Sequence, residues 1–129
     1  QIGKLTKLND TFIYSQLELR ITETYGDTST IKRSMQFVLR TLMNLELLAN
    51  PKQGVYQLRK PISVTKPEIK SWLVEASIYS ESVTSRSLNA INDQTVWFPF
   101  DIYFDESDLS SNSRLEPHRQ FSDTVVFVN

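Results

Sequence analysis

The sequence predicts an α+β protein, and three observations carry that expectation. Apolar residues recur at helical spacing in three stretches, about Asn9 to Tyr25, Ser29 to Glu46 and Pro67 to Ser80. Shorter runs follow the two-residue period of a strand, around Val55 to Arg59, Phe100 to Phe104 and Thr124 to Val128. The 129 residues make about one domain, since single cores typically hold roughly 100 to 150 residues.

The first helical run carries Phe12, Ile13, Leu17 and Ile21 between polar neighbours and stops at Tyr25-Gly26-Asp27, where glycine suits a C-cap. Asp27, Thr28, Ser29 and Thr30 are all good N-cap residues for a second helix. On that helix, Ile31, Met35, Val38, Leu39, Leu42 and Leu45 gather on one side. Ser29, Arg33, Gln36, Arg40 and Asn44 form a stripe within about 80° on the other. Phe37 sits among the polar stripe, where a simple solvated face does not account for it.

Beyond Leu47-Leu48-Ala49, the stretch Asn50-Pro51-Lys52-Gln53-Gly54 is rich in turn formers and leads into the alternating Val55 to Arg59, which predicts a β-hairpin. Thr65 or Lys66 caps a third helix with Pro67 in its first turn, and Ile69, Trp72, Leu73, Ala76 and Tyr79 are the residues that spacing assigns to its buried face. Ser80 to Asp93 reads as a linker or a loosely docked short helix anchored by Leu88 and Ile91. Phe100, Ile102 and Phe104 predict a strand with one buried face inside the aromatic run Val96 to Phe104. Asp105 to Arg114 predicts a single helical turn, and Thr124 to Val128 a last strand able to pair with the aromatic one. The domain reading is 1–64 and then a C-terminal extension, 65–129, packed on the same core or on a dimer partner.

Composition excludes several classes. Hydrophobic residues at 40% and charged residues at 22% match folded soluble proteins, which sets disorder and fibrous architectures aside. With no cysteine there is no disulfide framework, thiolate zinc site or cysteine nucleophile. No stretch approaches the roughly 20 apolar residues of a membrane span, and Gln1 to Asp10 lacks a signal-peptide core, so a cytoplasmic protein is expected. Charge is divided unevenly: Gln1 to Lys70 holds eleven Lys or Arg against six acids, whereas Ser71 onward holds three against nine. A polyanionic partner would therefore meet the N-terminal half.

The order Gly26-Asp27-Thr28-Ser29-Thr30-Ile31-x-Arg33, then Val38-Leu39-Arg40-x-Leu42, then Leu45-x-Leu47-Leu48, a loop with Gly54, and Val55-Tyr56-x-Leu58 resembles bacterial winged helix-turn-helix DNA-binding domains. The resemblance covers residues of about 17 to 58. It implies a winged helix-turn-helix with an added helix and a short C-terminal β segment. It departs from the family pattern in one respect, since little precedes the run beginning at Asn9 that could supply a full first helix. The implied function is double-stranded DNA binding, as a transcriptional regulator or the DNA-binding component of a larger bacterial system. A homodimer or partner protein would assemble through Pro67 to Ser80 and the aromatic C-terminal strand.

The residues themselves support the same reading. A helix of this length fits the major groove, where Arg33, Gln36 and Arg40 can reach base edges or phosphates. Ser29 and Thr30, beside unpaired amides at the helix start, suit a phosphate, and Lys32 adds a cation there. Lys52 and Gln53, with Lys60 near by, sit where a wing reaches the neighbouring backbone or minor groove. The alternative is a non-catalytic adaptor whose basic stripe meets an acidic protein surface.

Enzymatic sites are poorly supported. Glu116, His118 and Asp123 could be drawn as an acid/base or metal site, but a single histidine without a second nitrogen or sulfur ligand is more often a surface residue. Asp101, Asp105, Glu106 and Asp108 lack the glycine and terminal glutamate of a calcium loop. No phosphate-binding glycine loop or serine nucleophile motif is present. Neither catalysis, nor a metal, nor a cofactor is expected.

Overall fold

The structure, a computed structural model, describes residues 1–129 and is mixed α+β, 47% helical and 24% strand. The chain divides into two compact units, Gln1–Ile62 and Ser63–Asn129.

The first unit runs α1 (Ile2–Leu5), β1 (Thr11–Ile13), α2 (Tyr14–Tyr25), α3 (Ser29–Asn44), β2 (Leu48–Lys52) and β3 (Val55–Leu58). Its three strands form an antiparallel sheet in the order β1-β3-β2. The helix expected from Asn9 begins only at Tyr14, because Thr11, Phe12 and Ile13 pair with Gln57, Tyr56 and Val55. Those residues are β-branched or aromatic and suit a pleated surface. Phe12 is 3% exposed and stacks on Tyr56 with ring centroids 5.5 Å apart. Around it, Leu17, Met35, Leu39, Leu47 and Leu48 complete the buried set of this unit.

Between α2 and α3 the chain turns at Gly26, whose φ of 99° favours glycine and whose N–H donates to the Thr22 carbonyl at 2.9 Å. Of the four N-cap candidates, Thr28 takes the position, its hydroxyl accepting the Ile31 N–H at 3.2 Å. The apolar side of α3 is narrower than its sequence suggests. Met35 and Leu39 are buried and Ile31 and Leu42 half-buried, but Val38 and Leu45 are 53% and 62% exposed. Both lie on the flank of the buried arc, roughly 55° to 75° from its centre.

The hairpin is tighter than expected, since Asn50 and Pro51 lie within β2 and only Gln53 and Gly54 separate the paired Lys52 and Val55. Gly54 turns with φ 76°. Asn50 braces the irregular strand, its Nδ2 donating to the carbonyls of Lys52 at 2.8 Å and Val55 at 2.7 Å. The Gly54 carbonyl in turn accepts the Tyr14 N–H at 2.8 Å, tying the hairpin tip to the start of α2.

A two-residue strand, β4 (Ile62–Ser63), precedes the helix of the second unit, α4 (Pro67–Ser80). Then come β5 (Ser85–Ser87), α5 (Leu88–Asn92), a 3-10 turn at Thr95–Trp97, β6 (Phe100–Asp101), a longer 3-10 segment at Glu106–Ser111, β7 (Leu115–Gln120) and β8 (Asp123–Val128). Val74, Ile78, Leu88, Ile91, Phe104, Leu109, Leu115 and Val126 form one buried cluster. An antiparallel sheet, β5-β8-β7, backs it.

Three expectations are corrected in this unit. The buried face of α4 is Ser71, Val74, Glu75 and Ile78, while Ile69, Trp72, Ala76 and Tyr79 are exposed and Leu73 is half-buried. Polar residues turn inward because distant groups satisfy them. Glu75 accepts from Asn112 at 2.8 Å and pairs with Arg114 at 3.2 Å, and the Ser111 hydroxyl donates to that of Ser71 at 3.0 Å. The aromatic run is not a long strand: a cis Phe98-Pro99 bond separates the 3-10 turn from β6, and of the three expected buried residues Phe104 alone is fully buried. The last strand pairs with β7 and β5 and not with the aromatic run. Of the two readings of Ser80 to Asp93, the short helix is present as α5, with Leu88 and Ile91 buried as its anchors, and β5 precedes it.

β5 and β7 are the two edge strands of this sheet, and β7 is the longer. Asn129 donates to the Arg114 carbonyl at 2.9 Å, which fixes the alternation so that Glu116, His118 and Gln120 face β8. The backbone amides and carbonyls of Leu115, Pro117 and Arg119 therefore point away from β8.

Candidate nucleic-acid interface

The surface formed by α3 and the β2–β3 hairpin is built from a biased stretch of chain. Residues 29 to 60 contain six cations, Lys32, Arg33, Arg40, Lys52, Arg59 and Lys60, and a single acid, Glu46, a surplus of 6 − 1 = 5. No acidic residue occurs on α3 itself. Ser29, Thr30, Arg33, Gln36 and Arg40 are all exposed on the helix, and Lys52 and Gln53 are exposed at the hairpin tip. Neither arginine pairs with a carboxylate, and Lys52 has no ion-pair partner either. A guanidinium held on a rigid helix without an anionic neighbour keeps its donors available to an incoming acceptor.

Lys32 stands apart from the other expected contacts. Its ammonium lies 2.9 Å from Asp27 and 3.2 Å from Glu18, so it links α3 to the preceding turn and to α2. The hydrogen bond to Asp27, followed by that to Glu18, raises its pKa above the ordinary lysine value.

At the start of α3, Thr28 occupies the Ile31 N–H through its hydroxyl and the Lys32 N–H through its carbonyl at 3.1 Å. The amides of Ser29 and Thr30 precede any intrahelical acceptor and emerge from the helix end. Both side chains beside them are hydroxyls, which an anionic oxygen can use.

Phe37 now has a setting. It is 57% exposed, and the Arg40 guanidinium carbon sits 6.0 Å from its ring centroid, at the outer reach of cation–π attraction. One helical turn separates the two residues, so the ring lies beside the basic stripe and belongs to the same surface.

No family model, curated protein or solved structure matches the chain.

Elsewhere, His118 lies 3.8 Å from Glu116, with both side chains more than half exposed, and its ring meets Phe127 edge-on at 5.1 Å. Asp123 is engaged differently: its carboxylate accepts from the Ser87 hydroxyl and from the amides of Thr124 at 2.7 Å and Asn89 at 3.3 Å. The Ser87 bond is the largest cause of its lowered pKa. The arrangement joins β8 to the start of α5 and orients nothing toward His118. Asp108 is buried against Lys70, while Asp101 and Asp105 are exposed. Nowhere do three His, Cys, Asp or Glu side chains gather closely enough to hold a metal ion. No helix is long and apolar enough to cross a membrane.

Two features of the interface escaped the sequence. Asn50 braces the hairpin through carbonyls on both sides of the turn, and the Asn-Pro pair preceding a Gly was its local trace. The commitment of Lys32 to Glu18 depended on how α2 crosses α3, which no local pattern encodes.

Proposed function

We propose that the chain is a non-catalytic, double-stranded DNA-binding protein that presents α3 to the major groove and the β2–β3 hairpin to the flanking backbone, in the manner of a winged helix-turn-helix. The observation that carries this reading is the exposed stripe of Arg33, Gln36 and Arg40 on a helix free of acids, in a stretch with six cations and one acid. Two arginines and an amide are the side chains best suited to bidentate contact with guanine and adenine edges.

The topology supports it as well. A short helix, an edge strand, two consecutive helices and a hairpin whose second strand lies between the first strand and its own partner is the order expected of such domains. The hydroxyl-rich start of α3 offers one phosphate contact and Lys52 another. The cellular role that follows is a transcriptional regulator or the DNA-binding component of a larger assembly.

Fluorescence anisotropy with a random-sequence duplex tests the reading. Binding should be measurable at about 50 mM salt and fall by orders of magnitude toward about 200 mM if six or more phosphates are contacted, less steeply if fewer. Arg33→Ala and Arg40→Ala should each weaken it. Absence of duplex binding at the low-salt end overturns it.

A second reading, a protein-interaction module, has one specific observation in its favour. Ile69, Trp72 and Tyr79 on α4 are 45%, 62% and 51% exposed along one side of the helix. Light scattering of wild type and Trp72→Ser would show whether that side joins two copies of the chain. A monomer in both cases removes the homodimer.

A further inference from the structure

Phe37 is the exposed large apolar side chain beside the basic stripe of α3, and its ring lies near Arg40. The guanidinium carbon of Arg40 stands 6.0 Å from the Phe37 ring centroid, and the ring is 57% exposed. Phe37 lies outside the buried set of this unit, Phe12, Leu17, Met35, Leu39, Leu47 and Leu48, so its ring is open to a partner. Resting on the DNA-binding reading above, we propose that Phe37 and Arg40 together read a thymine adjacent to a guanine, the ring meeting the thymine 5-methyl group and the guanidinium meeting guanine O6 and N7.

The argument is one of chemistry and pitch. In the major groove the thymine methyl is the only apolar group that a base pair presents, and an aromatic side chain is among the few that match it. Guanine alone presents two acceptors in line, which a guanidinium fork satisfies together. Residues 37 and 40 are three apart, about 4.5 Å along a helix axis, against about 3.4 Å between base pairs. They therefore address neighbouring pairs and not a single one. The ring also restrains the guanidinium, so Phe37 acts on guanine recognition as a positioning residue as well as contacting the methyl itself. Arg33 lies within about 20° of Arg40 around the axis and one repeat earlier, and serves the same strand or its phosphates.

The test uses the whole chain and changes the DNA before the protein. Duplexes are selected from a randomised pool, and the enriched site is resynthesised with deoxyuridine in place of each thymine in turn, which deletes one methyl and nothing else. A thymine next to a guanine should be enriched, and deoxyuridine there should weaken binding about fourfold, the effect of losing one buried methyl. Phe37→Ala should bind thymine and deoxyuridine duplexes equally, and Arg40→Ala should lose the guanine preference. Phe37→Leu, which keeps apolar bulk on an exposed site, should retain part of the methyl preference. A selected site without this step, or deoxyuridine without effect in the wild type, overturns the proposal. Salt-sensitive duplex binding with no enriched sequence also overturns it while leaving DNA binding intact. No duplex binding at all removes both.

Discussion

Lys70 and Asp108 form an ion pair at 3.2 Å between α4 and the Glu106–Ser111 segment, with side chains only 15% and 9% exposed. The Asp108 carboxylate also accepts the Asp105 N–H at 2.8 Å. A charge this enclosed is tolerated because its partner and its hydrogen bonds are both present.

Removing one member leaves the other buried without compensation. Asp108→Asn and Lys70→Ala should each destabilise the second unit by about 3 kcal/mol, and the double variant Lys70→Met with Asp108→Leu should recover part of the loss. Urea unfolding followed by Trp97 fluorescence measures it. Additive losses in Lys70→Ala combined with Asp108→Asn would show that the two charges do not depend on each other.

Asp123 makes a pH prediction. Its folded pKa lies below the unfolded value of 3.8, first because of the Ser87 hydroxyl. A depressed carboxylate stabilises the fold fully above the unfolded value, and the contribution is lost as pH falls through the lower, folded one. The acid limb of thermal unfolding below about pH 4 should flatten in Asp123→Asn, with little change at pH 7 in the slope of stability against pH. The side chain is exposed, so the effect should be modest. An unaltered acid limb would mean that Asp123 is not linked to folding.

Lys32, paired with Asp27 and Glu18, differs from the unpaired arginines of α3. Its raised pKa means that its contribution to stability is complete below the unfolded value of 10.5 and lost as pH rises through the folded one. Lys32→Ala should change the affinity for duplex DNA much less than Arg33→Ala does, while lowering the melting temperature of the first unit slightly. Equal losses of affinity in anisotropy would place Lys32 among the DNA contacts instead.

Lys52 at the hairpin tip predicts a change in slope. If it neutralises one phosphate, Lys52→Ala should reduce the magnitude of d log K/d log[salt] by about 0.9 across all sequences tested, and Gln53→Ala should leave the slope unchanged. A loss confined to one sequence would mean that Lys52 reads a base.

The sequence was most legible where structure is decided within a few residues. The start of α3 follows from Gly26 and Thr28, and the exposed stripe from a spacing that needs no partner. It was least legible where distant residues decide. Ile13, Leu17 and Ile21 suit one face of a helix, and only Val55, more than forty residues later, draws Ile13 into a strand. On α4 Ile69, Trp72, Ala76 and Tyr79 are exposed, while Val74 and Ile78 are buried beside Ser71 and Glu75, polar residues that Ser111, Asn112 and Arg114 satisfy. The strand β7 left no alternation to detect, since Leu115 is its only buried residue. Within the interface, Phe37 was visible as an anomaly, but its pairing with Arg40 required coordinates.

Pro117 bears on how the protein behaves in a crowded solution. An uncovered strand edge is a template on which other extended chains can add, rung by rung, through outward amides and carbonyls. Here the Leu115 amide is already taken by the Asn112 carbonyl at 3.1 Å, and proline has none to give. Arg119 is left as the sole outward donor along β7, and its charge repels a second copy of itself. The outermost strand is thus a poor seed for fibrils, even at concentrations where a six-residue edge with all its donors intact would recruit neighbours.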